Sequence, residues 1–353
     1  MNRYLLILSF LLLLACKSSG DAKPTTMNSR GMEAAAKEFV VAYYNVENLF
    51  DTDDNPDKID EDFTPGGKYE WDQKKYDRKL FQIAKAIRSI GPNGPDLLGL
   101  GEVENAKVIE DLLKQEQLAG RNYKYVHYES PDMRGIDVAF VYDSKLFKLS
   151  DDEAYEIYFK QEPDYTSRKV LHVEGKLKNQ KLHVIVNHWP SRRGGQEESE
   201  FRRLAVAEEV RGVIDDIYAK DEDSHVIVMG DMNDDPFNKS IIETLGAVGE
   251  MGELAENGLF NPMKNLHNAD SYGSLTYRGK WNLFDQIIMS EDLLDEKGKL
   301  KYVEGSAKVH NVELLQVGFG RGAKYPRRAI FRGKFEGEGY SDHFPVYVKL
   351  KMN

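Results

Sequence analysis

Apolar residues recur at helical spacing in two segments of the chain. The first, 72–90, is predicted to form an amphipathic helix whose buried side carries Leu80, Ile83, Ala84, Ile87 and Ile90. Gly91 and Pro92 end this helix, because proline cannot continue a helix and disfavours helical geometry in the residue before it. The second helix is predicted for 198–218, with an inward face of Leu204, Ala207, Val210, Ile214 and Ile217.

Short apolar runs bounded by polar residues predict a larger number of strands. These runs lie at 38–44, 96–100, 136–142, 170–177, 182–186, 225–229, 284–289 and 345–350. The runs 170–177 and 182–186 are spaced as the two strands of a hairpin. Many strands, few helices and hairpin-like connections favour two packed, mostly antiparallel sheets with helices outside over a parallel doubly wound sheet.

The N-terminal residues have the pattern of a secretory signal peptide. An apolar run from Tyr4 to Leu14 follows Met1-Asn2-Arg3 and is too short to span a bilayer. Cys16 follows a small residue at the expected cleavage point, a pattern typical of bacterial lipoproteins, whose acyl chains are attached to that cysteine. The alternative is an ordinary signal peptide with an incidental cysteine. We therefore predict three segments: a lipoprotein signal peptide (1–15), a flexible tether (16–37) and a folded domain (38–353).

Composition narrows the class of protein without identifying it. A single cysteine in an exported chain excludes an internal disulfide, so the core or bound ions must stabilise the fold. With 41% hydrophobic and 11% aromatic residues the composition is ordinary for a globular protein, and one large domain is favoured over two. The net charge of -11 argues against a general nucleic-acid coat protein but leaves room for a local basic groove.

Polar residues lie where the predicted strands begin and end. Four close strands, namely Asn45, Glu102, His188 and Asp231, and three open them, namely Asp137, Asp285 and His343. In a mostly antiparallel sandwich these two sets meet at one edge, where they can converge on a small volume. The alternative is a set of unrelated turn residues. Carboxylate and amide oxygens suit Mg²⁺, Mn²⁺ or Ca²⁺ better than zinc, and two histidines suit proton transfer or phosphate binding.

Seven short motifs resemble, in order, those of the endonuclease/exonuclease/phosphatase superfamily. They are Tyr44-Asn45-Val46-Glu47-Asn48, Gly101-Glu102-Val103-Glu104-Asn105, Ile136-Asp137-Val138-Ala139, Asn187-His188-Trp189, Gly230-Asp231-Met232-Asn233-Asp234-Asp235-Pro236, Phe284-Asp285-Gln286-Ile287 and Ser341-Asp342-His343-Phe344-Pro345. One motif alone is weak, but seven in this order span essentially the whole predicted domain. The resemblance implies an α+β fold, a four-layer α/β/β/α sandwich of two mostly antiparallel sheets flanked by helices, like that of pancreatic-type deoxyribonuclease and abasic-site endonucleases.

The resemblance also implies a metal site and a water-activating residue. Position by position, Glu102 resembles the principal metal ligand, with Asn45 and Asp342 near it. The implied cofactor is Mg²⁺, or Mn²⁺ or Ca²⁺, as one or two ions. Asp231 resembles the residue that activates the attacking water, and Asn233 its companion at the scissile phosphate.

Further residues resemble the family's phosphate-side groups. His343 is similar to the histidine that contacts phosphate and handles a proton, with Asp285 orienting it. His188 resembles a second phosphate-side histidine, found in the deoxyribonuclease and sphingomyelinase branches. Arg168 resembles the arginine that grips a substrate phosphate, the alternative being a solvated loop charge.

The sequence departs from the familiar branches of this superfamily at two positions. Glu47 occupies the second acidic position, a metal ligand in some members, and Gly101 stands where many relatives have glutamine. The number of metal ions is therefore left open. Asp137 is equally compatible with a structural role at the rim of the site and with a catalytic one.

Together these features predict an exported, metal-dependent phosphoester hydrolase, a nuclease or phosphodiesterase in which water attacks phosphorus in line. One alternative is a phosphatase or phospholipase-like hydrolase of phosphoinositides, sphingomyelin or sugar phosphates. Another is a catalytically silent binding lipoprotein, which the complete set of acids, amides and histidines disfavours. We expect a monomer without a protein partner, lipid-anchored to a bacterial membrane, with the domain periplasmic or extracellular and nucleic acid as substrate.

Two basic loops could give an acidic protein a local path for a polyanion. One is 191–195 and the other is 321–332, and Tyr325, Phe331 or Trp189 could stack on bases. The alternative for either loop is surface charge that serves solubility.

Overall fold

The computed structural model describes residues 38–222, 224–255, 257–268, 270–319 and 323–353. The predicted signal peptide (1–15), the candidate lipid-attachment residue Cys16 and the predicted tether (16–37) lie outside these residues. They therefore stay predictions.

Helices are few in the described part of the chain. The α-helices are α1 (Gln73–Ser89), α2 (Ala106–Leu113) and α3 (Glu200–Lys220). Single helical turns lie at Glu61–Phe63, Ser240–Thr244, Met251–Glu253, Lys264–Leu266, Glu291–Leu294 and Glu313–Leu315. Among the described residues, no helix combines the length and the apolar character needed to cross a bilayer.

Strands form most of the regular structure. The first ten are β1 (Glu38–Leu49), β2 (Leu97–Val103), β3 (Tyr123–His127), β4 (Asp137–Asp143), β5 (Phe147–Tyr155), β6 (Val170–Leu177), β7 (Gln180–His188), β8 (His225–Asp231), β9 (Ala247–Val248) and β10 (Leu259–Phe260). They are followed by β11 (Leu275–Tyr277), β12 (Lys280–Asn282), β13 (Asp285–Ser290), β14 (Leu300–Tyr302), β15 (Lys308–Val309), β16 (Gln316–Phe319), β17 (Ala323–Pro326), β18 (Ile330–Phe331), β19 (Lys334–Phe335) and β20 (Val346–Met352).

Two large sheets contain most of these strands. The first has the order β14-β20-β1-β2-β4-β3, with β15 also paired to β20, and the second has the order β5-β6-β7-β8-β13-β10-β9. The pairs β1–β2, β7–β8 and β9–β10 are parallel, and the other pairs within these sheets are antiparallel. Three separate hairpins are formed by β11–β12, β16–β17 and β18–β19.

Alternation along the strands places the second sheet between two apolar layers. Val184, Val186 and Met229 belong to the large core that the two sheets share, whereas Ile185 and Val228 belong to a smaller core beneath α3. The larger core also contains the buried faces of α1 and α2, which contact the first sheet. The chain therefore has the four-layer α/β/β/α order, which confirms the predicted α+β sandwich.

The helix α1 forms as its sequence pattern predicts. Asp72 caps its N-terminus by accepting a hydrogen bond from the backbone N–H of Lys75 at 2.9 Å. The predicted apolar face is buried, and the chain leaves the helix through Gly91 at φ 67°, a conformation that glycine adopts without strain.

The inward face of α3 differs from the prediction at one position. Leu204 is only half-buried, whereas its neighbour Arg203 is fully buried. Arg203 Nε lies 2.8 Å from Asp234 Oδ2, and Arg203 Nη1 donates to Ser199 Oγ at 2.9 Å. Apolar periodicity does not anticipate a buried guanidinium, because its burial depends on a carboxylate supplied from elsewhere in the chain. The pair ties α3 to the loop that follows β8.

We expect Arg203→Met to lower the free energy of unfolding by about 3 kcal/mol, because it leaves Asp234 buried without one of its two cations. Arg192, 2.9 Å from Asp234 Oδ1, limits the loss. Urea unfolding followed by circular dichroism measures the effect. The matched control is Arg211→Met on the same helix, whose partner Asp215 is exposed, and its expected cost is at most about 0.5 kcal/mol. Equal losses in the two variants would contradict a stabilising role of the buried pair.

Candidate active site

Two backbone irregularities shape the first sheet's contribution to the site. The register of β1 with β2 shifts after Asn45, and that of β2 with β4 shifts after Gly101. Glu47, Asn48 and Glu102 have φ values of 53°, 55° and 62°, which are costly for residues other than glycine. Both strands thus run past the ends predicted at Asn45 and Glu102. The bulges change the direction in which the side chains of Asn45 and Glu102 point.

Gly101 has a steric reason for its departure from the superfamily pattern. A Cβ atom at this position would lie 2.1 Å from the hydroxyl oxygen of Tyr43, which is fully buried between the sheets. A side chain here would have to displace a large aromatic ring from a close-packed core. Glycine at position 101 therefore leaves room for the side chain of Tyr43 in β1.

The second sheet aligns three of the predicted site residues side by side. Parallel pairing of β7 and β8 sets His188 opposite Asp231, and antiparallel pairing of β8 and β13 sets Asp231 opposite Asp285. His343 joins them through a bridge to Leu275 in β11. Residues far apart in sequence are therefore adjacent at one sheet edge.

Asp231 lies at the centre of the cluster. Asn45 Nδ2 donates to Asp231 Oδ2 at 3.1 Å, which connects the two sheets, and the backbone N–H of Asn233 donates to Asp231 Oδ1 at 2.9 Å. The same Oδ2 atom is 3.6 Å from His188 Nε2 and 3.9 Å from His343 Nε2. Burial raises the pKa of Asp231 to about 7, and the cationic His343 opposes this rise.

His343 and Asp285 form a buried pair. His343 Nδ1 lies 2.7 Å from Asp285 Oδ2, so the ring presents Nε2 to Asp231. Burial alone would lower the pKa of His343, but the carboxylates of Asp285, Asp231 and Asp342 outweigh it and hold the pKa well above its usual value. The raised pKa favours the cationic form of the imidazole, and the contact with Asp285 fixes its orientation, which is the role that the resemblance implies for Asp285.

His188 lies on the opposite side of Asp231 and is neutral. Its Nε2 atom is 4.0 Å from Glu102 Oε1, and burial lowers its pKa well below the usual value, with a further contribution from the Arg168 cation. Arg168 is itself buried: Nε donates to the carbonyl of His188 and Nη1 to Asp132 Oδ2, both at 3.0 Å, and Nη2 donates to the carbonyl of Trp189. Arg168 thus positions the end of β7. Its contact with a substrate phosphate stays a prediction.

Two of the predicted metal ligands, Glu102 and Asp342, are partly exposed, and the third, Asn45, is buried. Glu102 Oε2 accepts from the backbone N–H of Asn48 at 2.9 Å, and Asp342 Oδ1 is 4.0 Å from His343 Nε2. Asn45 Oδ1 accepts from the backbone N–H of Glu47 at 3.0 Å and retains a second lone pair. The predicted trio is therefore close to Asp231, and its donors are carboxylate and amide oxygens.

The charge balance of the cluster fits a divalent cation. Among the described residues, ligand atoms of Asp231, Asp285 and His343 lie within 4.8 Å of one another, with Glu102 and Asp342 beside them. Four carboxylates thus lie around His343, with Arg134 3.8 Å from Glu102 and Arg328 3.9 Å from Asp342. Asp231 and Asp285 are buried, and Asp285 Oδ1 has no hydrogen-bond partner in the described part of the chain. Buried negative charge of this kind is costly unless a cation offsets it. Hard oxygen donors suit Mg²⁺, Mn²⁺ or Ca²⁺.

Glu47 anchors a loop. Its carboxylate oxygens accept hydrogen bonds from the backbone N–H groups of Ala329, at 2.5 Å, and Ile330, at 3.2 Å. Burial raises the pKa of Glu47 to about 8. Lys79 is buried nearby and donates to the carbonyl of Tyr340 at 2.9 Å, and burial lowers its pKa to about 8. The second acidic position of the motif thus fastens the connection between β17 and β18 beside the site.

Asp137 has structural partners. Its Oδ1 atom accepts from the backbone N–H of Ser130 at 2.9 Å, and Oδ2 lies 3.0 Å from His127 Nε2. These contacts hold the loop that carries Asp132, the carboxylate partner of Arg168. The structure therefore favours the role at the rim of the site over a catalytic one.

Arg134 is a site residue that the sequence pattern does not reveal. Its side chain is half-exposed, Nη2 donates to Asn48 Oδ1 at 2.8 Å, and the same atom is 3.8 Å from Glu102 Oε1. A lone arginine before a glycine carries no signal, since its position depends on how the β3–β4 loop folds over the bulge in β1.

The structure gives different positions to the basic loop 191–195 and to the aromatic residues that were predicted to stack on bases. Arg192 donates to the carbonyl of Asn233 at 2.9 Å and pairs with Asp234, so it holds the loop after β8. Trp189 is fully buried and cannot stack on a base, because its apolar neighbours lie beneath α3. That part of the prediction is wrong. Phe331 is 38% exposed, and the Arg332 guanidinium lies over one face of its ring, 5.1 Å from the centroid.

Comparison with known proteins is consistent with this fold. The model of the Endonuclease/Exonuclease/phosphatase family matches residues 40–352. No curated protein sequence matches the chain significantly.

Similar solved structures include three that cover most of the chain. D. rerio TDP2 complexed with a single-strand DNA product is 16% identical (TM-score 0.51), with coverage of 89% of this chain and 98% of that one. The human Nocturnin catalytic domain with bound sulfate is 15% identical (TM-score 0.53; coverage 90% and 95%). A mannosyl-6-phosphatase from Bacteroides thetaiotaomicron is 16% identical (TM-score 0.53; coverage 88% and 99%). These structures share the fold, and the family model, which spans nearly all of the described residues, shows that the chain belongs to the endonuclease/exonuclease/phosphatase family.

Proposed function

We propose that this protein is an exported, divalent-metal-dependent phosphodiesterase that hydrolyses nucleic acid or its fragments. The observation that carries the proposal is the position of Asp231, a buried carboxylate between the protonated His343–Asp285 pair and the neutral His188. A base and an acid are thus held on either side of one small volume, which is what in-line attack of water on a phosphoester requires.

Asp231 supplies the base. Burial raises its pKa to about 7, which suits a group that accepts a proton from water and later releases it near neutral pH. The amide of Asn45 and the backbone N–H of Asn233 hold the carboxylate in one orientation, at 3.1 and 2.9 Å. Asn233 Nδ2 donates to the carbonyl of Trp189 at 2.9 Å, which places this amide beside the same volume.

The histidines supply the electrostatic and acid groups. His343, kept cationic by Asp285, offsets negative charge that develops on a phosphoryl oxygen and can donate its Nε2 proton. Burial disfavours the charged form of His188, so it can form a hydrogen bond to the phosphate without adding charge. Glu102, with Asn45 and Asp342, would hold the divalent cation. When bound, that ion polarises a phosphoryl oxygen and neutralises part of its charge.

Nucleic acid is favoured over small phosphomonoesters by the surroundings of the site. D. rerio TDP2 was solved with a single-strand DNA product, whereas the Bacteroides thetaiotaomicron protein is a mannosyl-6-phosphatase, so the fold accommodates both substrate classes. Exposed rings and arginines lie beside His343 in this chain, and these are the groups that bind bases and phosphates. A phosphatase of sugar phosphates is the second candidate.

The location of the protein is proposed from its N-terminal sequence. Residues 1–15 have the pattern of a lipoprotein signal peptide, and Cys16 is the acylation site that this pattern implies. We propose a monomer anchored to a bacterial membrane by these acyl chains, with the catalytic domain periplasmic or extracellular.

We expect the domain (38–353) to nick supercoiled plasmid DNA with Mg²⁺, Mn²⁺ or Ca²⁺, to stop in EDTA and to recover when the metal is returned in excess, because the carboxylate cluster needs a cation. Gel electrophoresis of the plasmid measures nicking. Hydrolysis of small phosphomonoesters without nicking would move the sugar-phosphatase candidate to the front. Cleavage of neither class under any metal would support a silent binding protein and contradict the proposal.

A further inference from the structure

A cavity of about 610 Å³ lies between the three hairpins outside the sheets. Its walls include Tyr277 at the end of β11, Arg278 from the β11–β12 turn, Val317 from β16, Arg327 and Arg328 after β17, and Phe331 from β18. We call it the ring-arginine cavity. Its volume is in the range of pockets that hold a whole small ligand.

The ring-arginine cavity adjoins the active site on the side of Asp342 and His343. Leu275, two residues before Tyr277, forms the bridge to His343, and Arg328 Nη2 is 3.9 Å from Asp342 Oδ2. Glu47 fastens the backbone just after Arg328 through its bonds to the next two N–H groups. A group bound in the cavity can therefore belong to the same molecule as a phosphate bound in the active site.

The cavity exposes apolar surface that the fold does not need. Tyr277 is 62% exposed, Phe331 38% and Val317 37%, although all three are large apolar side chains. The Arg278 guanidinium lies 5.1 Å from the centroid of the Tyr277 ring, which extends the flat surface. Such surfaces bind planar rings by stacking. A nucleobase presents a flat aromatic face that suits such a surface.

The cavity wall also carries an excess of positive charge. Arg278 and Arg327 have no carboxylate partner among the described residues, in a chain whose net charge is -11. The wall contains two carboxylates as well: Glu338 is ion-paired with Arg78, and Glu336 offsets one positive charge. The remaining positive charge suits an anionic group of a ligand that already carries the ring.

We propose that the ring-arginine cavity binds the nucleoside next to the scissile phosphate, with its base on Tyr277 and Phe331 and a second phosphate at Arg278 and Arg327. The proposal rests on the proposed function, because that function places a phosphate beside His343. It narrows the substrate to phosphodiesters in which a nucleotide unit flanks the reacting phosphorus on the Asp342 side.

Calorimetric titration of the domain (38–353) with Mg²⁺ tests the assignment by binding and not by turnover. The probes are adenosine 5′-monophosphate, adenosine 3′,5′-bisphosphate and ribose 5-phosphate. We expect the monophosphate to bind at least about fivefold more tightly than ribose 5-phosphate, since stacking of one base contributes about 1–3 kcal/mol. The bisphosphate should bind more tightly again.

Substitutions in the cavity wall test which residues cause these differences in affinity. Tyr277→Ala with Phe331→Ala should erase the advantage of the monophosphate over ribose 5-phosphate, and Arg278→Gln with Arg327→Gln should erase that of the bisphosphate. Matched controls are Tyr158→Ala and Arg193→Gln, an exposed ring and an exposed arginine that do not line the cavity. Thermal unfolding checks that each variant is folded.

Three results would overturn the proposal: equal affinities for the three probes, preference for ribose 5-phosphate, or an advantage of the monophosphate that survives the ring variants. Plasmid and phosphoester hydrolysis by the same variants separates this outcome from failure of the proposed function. A chain that binds nucleotides as described but cleaves nothing would refute the hydrolase and leave the cavity assignment standing.

Discussion

Replacement of Asp231 by Asn is expected to reduce kcat by about 1,000-fold, within the range that a positioned general base contributes. Asparagine keeps the size of the side chain but cannot accept a proton from water. It can still accept one hydrogen bond from Asn45 or from the backbone of Asn233, so the site should keep its shape. Hydrolysis of DNA at saturating metal, compared with the unsubstituted chain, measures the loss.

Metal dependence separates two roles for Asp231. If the carboxylate is the base, the activity of Asp231→Asn stays low at any Mg²⁺ concentration. Recovery at high Mg²⁺ would instead identify Asp231 as a metal ligand and contradict its role as base. Asp164→Asn, at an exposed position, is the control and should leave kcat unchanged.

Replacement of His343 by Ala is expected to reduce kcat by about 1,000-fold as well, because it removes both the proton donor and the cation that faces Asp231. Asp285→Asn should cost less, about 100-fold, since the imidazole remains but is no longer held cationic by its 2.7 Å contact. Asp285 acts only through the histidine, so adding Asp285→Asn to His343→Ala should cause no further loss.

A double-mutant cycle on these two residues provides the measurement and its control. Losses that multiply would show that Asp285 acts independently of His343 and would overturn the pairing. His343→Ala also leaves Asp285 buried without its cation, which destabilises the fold. Unfolding is therefore followed in parallel, and kcat is measured below the transition of every variant.

Where a local pattern is long or ends at a sharp signal, it correctly predicts the elements that carry the site. The helix α1 follows from five apolar residues at helical spacing and a terminal Gly-Pro pair, and it forms with Asp72 as its cap. His188 and Asp231 close β7 and β8, and Asp285 opens β13, as their positions beside short apolar runs indicate. Such signals depend only on nearby residues, so the sequence contains them in full.

Other features depend on partners that are distant in the chain. The bulges in β1 and β2 arise from their pairing with each other and with β4, so the true strand ends cannot be read from β1 or β2 alone. Burial of Arg203 requires Asp234, and burial of Trp189 requires α3 to cover the end of β7. The hairpins that wall the ring-arginine cavity are short and carry little periodicity.

Local patterns in the sequence establish the residue types of the site, their order and their places at strand ends, because binary patterning and motif spacing depend on nearby residues. Which of these residues meet depends on the fold: Asn45 reaches Asp231 across the two sheets, Arg168 turns inward to hold His188, and Glu47 fastens a loop. Register, bulges and burial arise when distant strands pair and exclude water. Protonation follows from that burial, and so the acid and base character of His343 and Asp231 belongs to the fold.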